Sequence, residues 1–150
     1  MELFNFQLMN FLYKRITYKY LFWFWVIFIL IITSIPRITV PELEIGKFGF
    51  KIHLDYVAHF VFFFVLTILF SLWQPYEFRK KKSYVVLIFI LLSIVYATGT
   101  EMMQLLLPKR TFNPIDLIFN ISGLLSAIIL IFYFYGNFIN KYKKYFTKIH

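Results

Sequence analysis

The sequence predicts an all-α integral membrane protein, a four-transmembrane-helix bundle with both termini cytoplasmic. Three observations carry that reading. Hydrophobic residues fill 61% of the 150 positions and aromatic residues 23%, and the mean hydropathy is +0.72. A soluble domain of this length cannot hide so much apolar surface. Four apolar stretches approach the ~20 residues that a spanning helix needs, and the basic residues gather between and beyond them. A single membrane domain over 1–150 follows.

The first span covers about 18–35 and is closed by Pro36. Lys14, Arg15 and Lys19 precede it as they would a signal peptide, but only "TSIPRI" follows, with no small-residue cleavage site. The segment is read as retained. The second span covers about 54–73 and ends at Gln74 and Pro75. A third runs over about 84–107 and stops at Pro108, and the fourth runs from Pro114 to about 135, before Gly136. Between the first two, residues 36–53 ("ITVPELEIGKFGFKIH" in the main) alternate loosely, with turn residues at Gly46 and Gly49. That pattern suits a short hairpin or an interfacial flap.

Charge then sets direction. Of the sixteen Lys and Arg residues, eleven lie on one side: Lys14, Arg15, Lys19, Arg79, Lys80, Lys81, Lys82, Lys141, Lys143, Lys144 and Lys148. Arg37, Lys47, Lys51, Lys109 and Arg110 lie on the other. The positive-inside rule places both termini in the cytoplasm and the 36–53 loop outside. The net charge of +9 reads as topology signal and contact with anionic lipid heads, so no nucleic-acid partner is expected. There is no cysteine, which removes disulfides and thiolate chemistry from consideration.

This orientation gathers the polar residues of the spans at one depth, in the outer leaflet. Asp55 and His59 open the second span four apart, so they share a helix face. Glu101 and Gln104 share a face near the end of the third, with Thr98 a turn deeper. Asp116 and Asn120 open the fourth, and Lys109 and Arg110 sit in the turn between. Ionisable groups in lipid turn toward the bundle interior or a wet cavity. Most of these residues also have a purely structural use. Asp116 fits position N3 of a helix capped by Asn113 with Pro114 at N1, where an acid is favoured anyway, and Asp55 has a similar place. His59 suits the headgroup level, Asn120 a bond between helices, and Arg110 a lipid phosphate. Glu101 is hardest to explain away. It stands seven residues before Pro108, about 10 Å below the expected helix end, where burial and the helix dipole both disfavour its charge. Arg110 and His59 are its available partners. Gly123 and Ala127 continue the Asp116–Asn120 stripe and invite close helix packing; Gly99 has the same look on the third span.

The quoted residues resemble a known family. "DYVAHF" is similar to the acid-to-histidine helix opening of the VanZ-like family, and "EMMQLLLPKRTFNPIDLIFNISG" resembles its second signature. The similarity runs from about Asp55 to Ala127, with family polar positions at Asp55, His59, Glu101, Gln104, Arg110, Asp116, Asn120 and Gly123. Tyr56 stands where a basic residue is often found, Lys109 where Gly is common, and Ala127 where a second Gly is frequent. The resemblance implies a bacterial cytoplasmic membrane protein that lowers teicoplanin susceptibility, with no settled reaction attached.

Three functions compete at this point. A non-catalytic protein would bind a membrane lipid or lipid-linked amphiphile through Asp55, His59, Glu101, Gln104, Arg110, Asp116 and Asn120, the basic groups meeting phosphate or carboxylate. A membrane enzyme acting on a lipid-linked phosphate would use Glu101, His59 and Asp55 as acid and base, but no Ser or Cys nucleophile accompanies His59. A carrier would need polar groups at every depth, and the inner halves offer only Thr67, Ser71, Ser93, Ser122 and Ser126. The binding role is favoured. No cofactor is expected, and no metal, because the spacing matches no strong ligand motif.

Overall fold

The structure, a computed structural model, describes the backbone of residues 2–35, 42–45, 50–80, 82–106 and 112–146, and the side chains of 15–35, 54–80, 82–106 and 112–135. Four helices dominate it: α1 (Glu2–Thr33), α2 (Leu54–Trp73), α3 (Tyr84–Gln104) and α4 (Pro114–Phe146). Each contains a segment long and apolar enough to cross a membrane: Arg15–Thr33, Leu54–Trp73, Tyr84–Gln104 and Pro114–Tyr135. α1 starts well before the expected 18, because no Gly or Pro interrupts the chain from Glu2 onward. α4 likewise runs past Gly136 to Phe146.

Between α1 and α2 lie two short strands, β1 (Glu42–Ile45) and β2 (Phe50–His53). They pair antiparallel with Glu42 opposite His53 and Ile45 opposite Phe50. Of the two forms expected for this loop, the structure has the hairpin. β2 leads straight into α2, so the chain enters the bundle at Leu54 without a linker.

Helix ends follow local chemistry. Ser83 caps α3 by accepting from the Val86 amide at 3.2 Å. α3 stops at Gln104, short of the expected 107. Its last turn tightens, with the Leu105 and Leu106 amides donating to Met102 and Met103 carbonyls at 3.1 Å. Pro108 follows Gln104 by four residues in the sequence, and a proline disfavours helical backbone in the residue before it and offers no N–H of its own. Glu101 therefore lies in the closing turn and not about two turns inside it. At the α2–α3 connection a 3₁₀ turn, Glu77–Arg79, covers the bundle end. Lys80 donates to Glu77 Oε1 and Ser83 to Oε2, each at 2.7 Å. The Lys80 ammonium and the Ser83 hydroxyl hold the Glu77 carboxyl below the usual carboxylate range.

α2 is the central element, packed most closely on α4 and next on α1. Aromatic side chains fill the half nearer the connector: Phe70 stacks on Phe89 with centroids 3.9 Å apart, and Phe22 leans on Phe70 and Trp73. Several polar side chains bond across helices. Trp25 Nε1 donates to the Phe62 carbonyl at 2.9 Å, Tyr96 donates its hydroxyl to Val26, and Arg15 reaches Gln74 Oε1 at 3.0 Å.

α2 and α4 approach each other closely at Gly123. A Cβ built on Gly123 would lie 2.1 Å from the Phe60 carbonyl oxygen and 3.0 Å from its carbon. Only glycine fits there, and Ala127, a turn further, is fully buried. The similar expectation for Gly99 fails, because a Cβ there would meet nothing within 4 Å; α3 makes no close approach at that point. Gly123→Ala must therefore push α2 and α4 apart, at a cost of about 1–3 kcal/mol of overpacking. Gly99→Ala should be neutral or stabilising by up to ~1 kcal/mol, from helix propensity alone. Denaturant unfolding of the two variants in detergent micelles checks the contrast.

Candidate functional site

The Gly123 contact positions everything at the end of the bundle where α2 and α4 begin and α3 closes. One residue before Phe60 on α2 is His59, and three before Gly123 on α4 is Asn120. The close packing brings His59 Nδ1 to 3.1 Å from Asn120 Oδ1. Asn120 donates its Nδ2 to Glu101 Oε1 at 3.5 Å, and that same oxygen lies 3.6 Å from His59 Nδ1. Three helices thus meet through one imidazole. The other face of the ring carries two carboxylates: Nε2 is 3.7 Å from Asp55 Oδ1 and 3.7 Å from Asp116 Oδ2.

Each acid is placed by its helix. Asp116 is N3 of α4. Asn113 caps that helix, accepting from the Ile115 amide at 3.0 Å, and its Nδ2 donates to Asp116 Oδ1 at 3.1 Å. Asp116 Oδ2 is thereby left toward the histidine. Asp55 stands in the first turn of α2 and reaches His59 by its i,i+4 spacing. Both carboxylates sit at helix N-termini, where amide dipoles stabilise negative charge. Glu101 has no such help from its own helix, being in the last turn of α3.

Burial separates this group from a surface patch. Glu101 and Asn120 are fully buried, Asp116 is 2% exposed, His59 3% and Gln104 3%. Asp55 is the most open, with 10% of its side chain exposed. Gln104 follows Glu101 by three residues on the same face of α3, and its buried Nε2 finds no hydrogen-bond acceptor among the described residues. Of the seven residues expected at the site, the structure brings Asp55, His59, Glu101, Asp116 and Asn120 into one connected group, with Gln104 buried a turn along. Arg110, the seventh, lies outside the described residues, as does Lys109. Thr98 is not part of the group; it donates to the Ile94 carbonyl of its own helix at 2.9 Å.

The aromatic setting was not visible in the sequence. Tyr56, where the family resemblance led one to look for a base, stacks on Phe119 with centroids 5.1 Å apart and planes at 13°. Phe62 meets the His59 ring edge-on at 6.4 Å. Tyr56 and Phe119 join α2 to α4 beside the polar group, a pairing no spacing rule would give, whereas His59 and Phe62 are three apart on α2 itself. A separate crevice of about 530 Å³ opens between α1, α2 and α3, lined by Phe22, Trp23, Phe70, Trp73, Phe89 and Tyr96 among others. It lies toward the opposite end of the bundle, is almost wholly apolar, and holds none of the polar group.

Four membrane-length helices and an inward-facing polar group at one end define a multi-pass membrane protein. The chain belongs to the VanZ/LLP1 family, whose model matches residues 4–135. The match extends the resemblance seen in α2–α4 back through α1. Searches of curated proteins and of solved structures each returned no match.

Asn120 is the residue on which His59 and Glu101 both draw. Asn120→Ala removes a hydrogen bond to each inside a dry site, and we expect a loss of ~1–3 kcal/mol. Thermal or denaturant unfolding in micelles reads it. A surface change such as Ser122→Ala, whose hydroxyl only returns to the Ile118 carbonyl, should stay within about 0.5 kcal/mol.

Proposed function

We propose that this chain binds the charged head group of a membrane lipid, a lipid-linked wall precursor or a lipidated glycopeptide, and thereby lowers teicoplanin susceptibility. The observation that carries the reading is the convergence of Asp55, His59, Glu101, Asp116 and Asn120 at one end of an otherwise apolar bundle. Burying such groups in lipid is costly unless they serve a ligand, a relay or one another. The open Nε2 donor of Gln104 adds a place for a ligand oxygen. The basic side of the chain, taken as cytoplasmic, turns the polar end to the outer leaflet of a bacterial cytoplasmic membrane. Arg110 would meet a phosphate or carboxylate, and the acids would orient it or meet an amine.

One observation favours a second reading. His59 has its Nδ1 held by Asn120 and Glu101 and its Nε2 toward two acids, the posture of an oriented acid–base histidine. In that reading Glu101, His59 and Asp55 transfer protons on a lipid-linked phosphate.

The test is expression in a glycopeptide-susceptible bacterium, comparing teicoplanin with vancomycin. Wild type, Glu101→Gln and Arg110→Ala are run at equal membrane abundance. Protection against teicoplanin by the wild type, reduced about tenfold in each variant as for a lost contact worth ~1.4 kcal/mol, is the expected result. Protection kept in full by both variants would remove the polar group from the activity. Conversion of a lipid-linked phosphate by the purified wild type, absent in His59→Gln, would select the enzymatic reading instead.

A further inference from the structure

We infer that Asp55, His59 and Asp116 form a binding site for one first-row divalent cation, Zn²⁺ in first place. These three residues offer ligand atoms that all lie within 4.8 Å of one another. The inference concerns the site of the head-group reading but does not require it, since the ion would be held by the chain's own donors.

The distances make the case. His59 Nε2 stands 3.7 Å from both Asp55 Oδ1 and Asp116 Oδ2. That is too long for an N–H···O hydrogen bond, which falls at about 2.7–3.2 Å. It falls within the roughly 3.3–3.8 Å that separates two atoms bound to one ion at ~2.0–2.2 Å with angles of about 110–120°.

The ring is also turned the right way. Asn120 gives its NH₂ to Glu101, so its Oδ1 is the atom that faces His59 Nδ1. An acceptor there places the proton on Nδ1 and leaves Nε2 as the lone pair, on the side of the two acids. Metal-bound histidines are oriented by such a partner on the far nitrogen, and ligating carboxylates by a donor on the second oxygen. Asn113 supplies that donor to Asp116 Oδ1 at 3.1 Å. Gln104, three residues from Glu101 on the same face of α3, has a buried amide donor that no described residue satisfies, and so points independently to an outside ligand. One imidazole with two carboxylates and no sulfur suits Zn²⁺ or Mn²⁺, and Zn²⁺ binds such a set more tightly. Ca²⁺ and Mg²⁺ prefer all-oxygen sites.

The experiment uses the full chain in detergent micelles, stripped with chelator and titrated calorimetrically with Zn²⁺, then Mn²⁺ and Mg²⁺. One Zn²⁺ per chain should bind and raise the unfolding temperature. Asp55→Asn and Asp116→Asn should abolish binding, Asn120→Ala should weaken it about 10–100-fold as a positioning residue, and Glu77→Gln should leave it unchanged. Co²⁺ bound to the wild type should give visible absorption bands and shift the His59 ring resonances, a readout that needs no variant to fold. Absence of saturable Zn²⁺ and Mn²⁺ binding overturns the inference, and so does binding kept in full by both Asp variants. No lipid or antibiotic enters this titration. A chain that binds zinc but fails the teicoplanin comparison would refute the head-group reading alone, and the reverse pair of results would refute the ion alone.

Discussion

The backbone contact between Gly123 and the Phe60 carbonyl is the constraint on which the site depends. A Cβ on residue 123 would lie 2.1 Å from the Phe60 carbonyl oxygen, so α2 and α4 approach more closely there than any residue but glycine allows. In lipid no hydrophobic effect draws helices together, so packing of small residues and bonds between polar side chains must do it. Both occur here within one turn of each other. His59 precedes Phe60, Asn120 lies a turn before Gly123, and the two are hydrogen-bonded because the backbones allow it. A larger residue at 123 would lengthen that bond along with the packing distance. Close packing and polar chemistry are therefore one device seen from two sides.

Helix termini supply the rest. Two of the three acids stand in first turns, where free amides favour their charge, and Asn113 both caps α4 and holds one oxygen of Asp116. The third acid, Glu101, stands in the last turn of α3, where Asn120 bridges it to His59.

Much of this was legible in the sequence, for definite reasons. Spans show because ~20 apolar residues have few other uses, and Leu54–Trp73 could be bounded to the residue by its Pro75 and its polar start. The Asn113–Pro114–Asp116 cap was legible because helix N-termini have strong local chemistry. Shared faces were legible too, which is how Asp55 with His59 and Asp116 with Asn120 could be paired on their own helices. Which face meets which is a tertiary matter. Spacing could not tell that Gly123 is indispensable and Gly99 idle, since the two look alike in their segments. Nor could it pair Tyr56 with Phe119, or bring Asp55, His59 and Asp116 within 4.8 Å. That convergence escaped the sequence because Asp55 and His59 stand on α2 and Asp116 on α4, with no local motif joining them.

The bundle is chemically one-sided, and this limits what it can do. Below Asn120, the buried residues of α4 up to Ile131 are Gly123, Leu124, Ala127, Ile128 and Ile131, none with a polar side chain. On α2 the hydroxyls of Thr67 and Ser71 turn back to the Phe63 and Ile68 carbonyls at 2.8 Å. Such internal bonds satisfy each hydroxyl within its own helix and offer nothing to a passing ion. The far half is an aromatic core closed by the Glu77–Lys80–Ser83 connector. A chain so arranged can meet a charged group at one face of a membrane and hold it dry, but its described residues give that group no path onward. On the proposed head-group reading, the polar end would receive a charge that arrives at the membrane surface, as the charge of a lipid-anchored molecule does.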